Sequence, residues 1–171
     1  MKTLGIALAV LVLVAPVGAG QEPADQVDVD VLLEEFGRPV TEAGFTFVLV
    51  HLNDLTTDAL FDVPLKYQLR AQARQVTMFY VQGAADQDTE LNIDFRVQQG
   101  PEHFQARSID IENFTPGTEL SAGDPIRGII AIEKLFDPRS GTLRVVTGGI
   151  TTRFEFPPHV VVKLVQAAQG R

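Results

Sequence analysis

The chain has 171 residues, 22 acidic against 14 basic side chains, a formal charge of −8 and no cysteine. An acidic surface repels phosphate backbones and anionic lipid, which argues against nucleic acid or a membrane surface as its target. Without cysteine there is no disulfide framework, no thiol nucleophile and no lipid-carrying residue, a pattern that fits an exported bacterial protein better than an animal extracellular domain.

Lys2, the apolar run from Leu4 to Val14, Pro16 and the small residues Val17-Gly18-Ala19 predict a signal peptide cleaved after Ala19. The run falls short of the ~20 apolar residues that span a bilayer, so no retained anchor is expected. Residues 20–26, "GQEPADQ", are polar and read as a disordered linker. Residues 27–171 are expected to form a single domain.

"VDVDVLL", from Val27, alternates as a strand, although Val29, Leu32, Leu33 and Phe36 also share a helical face; the strand is favoured. "FTFVLVHL" (45–52) and "VTMFYV" (76–81) are β-branched, aromatic and apolar on both faces, as central strands covered from both sides are. Between them "LKYQLRAQAR" alternates cleanly enough to predict a strand, with Lys66, Gln68, Arg70, Gln72 and Arg74 on one face. "LNIDFRV" sets Leu91, Ile93, Phe95 and Val97 against Asn92, Asp94 and Arg96, the pattern of a half-buried strand.

"FQARSIDIENF" (104–114) changes phase, which predicts a bulge near Arg107-Ser108. "SAGDPIRGIIAIE" (121–133) combines glycine with charge, yet isoleucines rather than a helix follow, so it reads as a turn leading into a strand. Gly128 would leave a gap on that strand's inner face, to be filled by a bulge or by a large neighbour such as Phe154. "TLRVV" and "ITTRFEF", joined through Thr147-Gly148-Gly149, predict an antiparallel hairpin. "PPHVVVKLVQAAQ" fits a helix entered through proline or a strand of valines, and residues 159–169 are left open between the two.

The order "FTFVLVHLND", "NIDFRV", "FTPGTELSAGDPIRGIIAIEK" and "RFEF" resembles the immunoglobulin-like β-sandwich domains of small exported bacterial proteins and lipoproteins. The resemblance spans most of residues 27–156 and rests on turns and strands. It implies an all-β antiparallel sandwich acting in binding, adhesion or assembly, and it brings no catalytic residue.

Dedicated chemistry is sparse. Beyond the leader the serines are Ser108, Ser121 and Ser140, none within Gly-x-Ser-x-Gly. His51, His103 and His159 lack the i, i+4 spacing of a helical metal site, and His51 is expected to be a hydrogen-bonded structural histidine. Asp86, Asp88 and Glu90 alternate as in calcium loops, but Leu91 stands where such loops turn on glycine and Val97 where they close on an acid, so a solvated turn is expected. Asn113-Phe114-Thr115 matches a glycosylation sequon, followed by Pro116. No metal or cofactor is therefore predicted.

The expected function is that of a non-catalytic periplasmic module for protein binding or envelope assembly. Its partner surface would be the row Lys66, Gln68, Arg70, Gln72 and Arg74, docking an acidic protein or polyanionic glycan. The competing expectations are a closed barrel carrying a small apolar ligand around Phe47, Phe79 and Phe95, and an envelope hydrolase using paired carboxylates.

Overall fold

A computed structural model describes residues 28–42, 44–137 and 142–169. The leader and linker readings fall on residues outside these.

The first element is a helix, α1 (Val29–Phe36), where a strand was expected. Asp28 caps it by accepting the Asp30 N–H, and Leu32 and Phe36, one helical turn apart, are buried on the same side. The four-residue spacing wins over the alternation because this apolar pair finds a sheet face to cover. At Gly37 the chain turns at once into β1 (Gly37–Glu42); a Cβ there would lie 2.4 Å from the Leu33 carbonyl oxygen. β2 (Phe45–His51) returns antiparallel to β1.

Next come α2 (Asp54–Leu60) and α3 (Leu65–Ala73). The side chain of Asn53 accepts the N–H groups of Leu55 and Thr56, while the Thr56 hydroxyl accepts the Asn53 N–H, a reciprocal cap that starts α2. The α3 segment is the one predicted as a strand. Its Lys, Gln, Arg, Leu and Ala residues are strong helix formers, and Leu69 is the only fully buried residue of the helix, so a single anchor and propensity outweigh the alternation.

β3 (Thr77–Ala85) follows, then the short β4 (Thr89–Glu90), β5 (Phe95–Gln99), β6 (Glu102–Gln105), β7 (Arg107–Glu112), the short β8 (Glu119–Leu120) and β9 (Pro125–Ile132). The chain ends with β10 (Leu143–Thr147), β11 (Ile150–Phe154) and α4 (Pro158–Gln169), which resolves the open C-terminal reading as a helix. β10 and β11 form the expected hairpin, with Thr147 opposite Ile150 and Gly148 at a φ of 51°.

The protein is thus mostly β, and every strand pair is antiparallel. One sheet has the order β1-β2-β3-β9-β7, a second β11-β10-β5-β6, and β4 pairs with β8 alone. One core joins the two larger sheets: Phe47, Phe79 and Ile130 from the first meet Phe95, Val145 and Phe154 from the second. The opposite face of the five-stranded sheet carries a second core, where Val50, Met78, Tyr80 and Ile129 meet Leu32, Phe36, Leu69 and Val160 of the helices. The apolar character of β2 and β3 on both faces follows from lying between these two cores.

The phase change in "FQARSIDIENF" has a different cause from the predicted bulge. Gln105 pairs within the four-stranded sheet and Arg107 within the five-stranded one, so the chain changes sheets at Ala106. The irregularity in pairing comes later, between Asp110 and Glu112. The gap at Gly128 is filled by Phe114 rather than Phe154: a Cβ on Gly128 would lie 1.9 Å from the Phe114 ring.

Candidate binding edge

Two sheets in this arrangement have four outer strands; two of them cover each other, and a third is short and exposed but guarded by a lysine. β1 and β11 lie against each other, the Gly149 N–H reaching Glu42 Oε1 at 2.9 Å and the Arg38 guanidinium sitting 5.5 Å above the Phe154 ring. β1 also carries Pro39, which has no N–H to offer. β6 is only four residues long, and Lys134 closes over it by pairing with Glu102 and lying 5.1 Å above the Phe104 ring.

Among the described residues, β7 is the exception. Residues Arg107 to Ile111 are all exposed, with Ile109 at 44% and Ile111 at 42%, and no proline or lysine interrupts the strand. Outer strands of this kind present unpaired backbone groups, and natural proteins usually guard them with outward charges. Here each charge has an intramolecular partner, and both ion pairs lie at the surface. Arg107 pairs with Glu133 at 2.5 Å and Glu112 with Arg127 at 3.4 Å. Asp110 accepts the Phe114 N–H at 2.8 Å and the Thr115 hydroxyl at 2.7 Å.

The local fold leaves this strand open for a reason legible in its residues. At Asn113, φ is 55°, and the chain swings inward so that Phe114 lands on Gly128. The Asn113 amide donates to the Pro125 carbonyl at 2.9 Å, so the nitrogen of the sequon is occupied. On the helix-facing side, Tyr80, Ile129 and Ile109 lie in one register row. The first two are buried beneath helices and the third stands at the rim, where helical cover has run out. Burial raises the pKa of the Tyr80 hydroxyl; nearby Arg127 opposes that shift and Glu112 adds to it.

The residues singled out from the sequence fall elsewhere. On α3, Lys66, Arg70 and Arg74 recur every four residues and share a face, while Gln68 and Gln72 turn off it, so the five do not form one row. Arg70 Nε and Arg74 Nε approach Asp54 Oδ1 at 3.2 and 3.5 Å, and Arg70 also reaches Asp58 at 3.1 Å. These contacts pin α3 to α2. His51 is buried, with its ring against Phe79, Phe136 and Phe156, and its Nδ1 has no hydrogen-bond partner among the described residues. Burial pushes its pKa down to about 4, so it is neutral near pH 7, and at Nδ1 the expected hydrogen bond is not found among the described residues.

Asp86 accepts the Thr46 hydroxyl and Asp88 the Ala122 N–H, which ties the acidic loop to its neighbours. No cluster of three His, Asp or Glu side chains able to hold a metal occurs among the described residues. A pocket of about 140 Å³ is lined by Glu42, Phe45, Glu90, Asn92, Ile93 and Gly148, among others. Its Glu42 carboxylate is already engaged by the Gly149 N–H through Oε1. No helix among the described residues is long and apolar enough to cross a membrane.

Sequence reasoning missed β7 as a site because it took the change of phase for a bulge near Arg107-Ser108 and not for a passage between sheets. The available signal was "RSIDI": two isoleucines at alternate positions with polar residues between them, directly after a change of phase. Comparisons with protein-family models, with curated proteins and with solved structures found no match to this chain.

Proposed function

We propose that the protein is a non-catalytic binding module of the cell envelope, an immunoglobulin-like sandwich that receives a partner strand on the outer side of β7. The observation that carries this reading is the exposure of Ile109 and Ile111 on a six-residue edge whose charges are turned to intramolecular partners. An added strand would gain main-chain hydrogen bonds from the edge, and its alternate side chains would meet the two isoleucines. Export to the envelope rests on the leader-like first 19 residues.

A sandwich is favoured over a closed barrel carrier because β1 and β7 end their sheet without meeting, and because Phe47, Phe79 and Phe95 fill the space between the sheets. The hydrolase reading is less favoured: of the two carboxylates lining the pocket, Glu42 is already tied to the β10–β11 turn by accepting the Gly149 N–H.

The test uses synthetic peptides of alternating valine and lysine, titrated against the purified chain and followed by NMR. Unmodified peptide should shift the β7 resonances. The same peptide N-methylated at alternate amides, or an Ile109→Lys chain, should weaken binding at least about tenfold. Equal binding of the methylated peptide, or shifts confined to α2 and α3, would refute strand addition at β7.

A further inference from the structure

The order of charges along β7 points to a particular occupant. The strand reads Arg107-Ser108-Ile109-Asp110-Ile111-Glu112, with its one cation at the start and both anions in the second half. A parallel copy of this strand would stack Asp110 on Asp110 and Glu112 on Glu112. An antiparallel copy brings the Arg107 end of each strand beside the Ile111-Glu112 end of the other. We propose that β7 pairs with β7 of a second copy of this chain, antiparallel about a two-fold axis at Ile109, joining two five-stranded sheets edge to edge. This rests on the strand-addition reading above and names its partner.

Centring on Ile109 follows from the side chains and from the pairing irregularity. In that register Ile109 meets Ile109, Ser108 meets Asp110, and Arg107 lays its aliphatic stem along Ile111. Opposed residues of an antiparallel pair point to the same face, so both Ile109 side chains fall on the helix side, beyond the rim left by Ile129. No like charges face each other. The irregularity between Asp110 and Glu112 interrupts regular pairing there, so the well-ordered part of the joint runs from Ser108 to Asp110 with its flanks.

A joint this short lies at the small end of specific interfaces, and the net charge of −8 on each copy works against it. The dimer is therefore weak and appears with rising concentration. Isologous contact also closes it at two copies, because each chain has used its open edge.

Sedimentation velocity from micromolar to millimolar chain should show a monomer–dimer equilibrium. Ile109→Lys, at an exposed position that tolerates the change, should raise the dissociation constant at least about tenfold while circular dichroism stays that of the parent. Charge reversal gives a second, internally controlled reading. Arg107→Glu alone and Glu112→Arg alone each place like charges at the joint and should sediment as monomers. Mixed in equal amounts they place Glu beside Arg at both ends and should form a heterodimer, which neither variant's own folding can mimic. A parent chain monomeric throughout, or a dimer indifferent to Ile109→Lys, overturns the second copy as occupant. In either case, peptide binding that depends on unmethylated amides would leave strand addition standing, and its absence would remove both.

Discussion

His51 makes the stability of this fold depend on pH in a calculable way. Its ring is held neutral among Phe79, Phe136 and Phe156, with the folded-state pKa depressed from 6.5 to about 4. A basic group whose pKa is lower in the folded state takes up its proton more readily when unfolded. Above pH 6.5 both states hold a neutral imidazole and the residue makes stability independent of pH. Below it the unfolded chain binds the proton first, and stability falls until about pH 4, where the folded protein begins to take it up as well. Each pH unit in this window is worth about 1.36 kcal/mol, so the loss between pH 7 and 4 is about 3 kcal/mol. Carboxylates titrate in the lower part of the same range, so the comparison must be with His51→Phe, which keeps an aromatic ring and removes the proton site. Urea unfolding at half-unit pH steps should show the parent losing about 3 kcal/mol more than the variant between pH 7 and 4, with the excess slope already present between pH 6 and 5. Parallel curves for the two proteins would refute the claim that His51 is buried neutral.

Phe114→Ala should cost about 3–5 kcal/mol by emptying the space over Gly128. Gly128→Ala should be severely destabilising alone and much milder in the Phe114→Ala background, a coupling that thermal melts of the four proteins would resolve. Asn53→Ala removes the cap of α2 and should lower stability by about 1 kcal/mol in urea unfolding. Asp54→Ala removes the shared partner of Arg70 and Arg74, leaving Arg70 on Asp58, and should cost about 1.5–3 kcal/mol, with earlier hydrogen-exchange loss in α3 than in β3.

Most strands of the inter-sheet core were legible because they are bounded by turn residues and face apolar partners at a two-residue period, although of "LNIDFRV" only Phe95 to Val97 lie in β5. "TGGI" fixed its hairpin through two glycines, and "SAGDPIRGIIAIE" is the expected turn leading into a strand, β9. The helices were not legible for related reasons. In "VDVDVLLEEF" and "LKYQLRAQAR" both periods fit, and what decided between them was distant: a sheet face able to take Leu32, Phe36 and Leu69. Alternation in α3 set five polar residues in a row that the helix then split, and Asp54, sixteen residues before Arg70, took up two of its cations. The candidate edge was hidden because an outer strand is defined by what does not lie beside it. Ile109 and Ile111 carry the same letters as core residues, and only the order of strands reveals that β7 is last in its sheet.

The most direct test of the account is amide hydrogen exchange across β7 as a function of chain concentration. Raising the concentration should slow exchange at amides within Arg107–Ile111 that exchange fast in the monomer, leave β1 and β11 unchanged, and have no effect in Ile109→Lys. Protection that fails to depend on concentration, or that grows in α3 around Lys66 instead of β7, would contradict it.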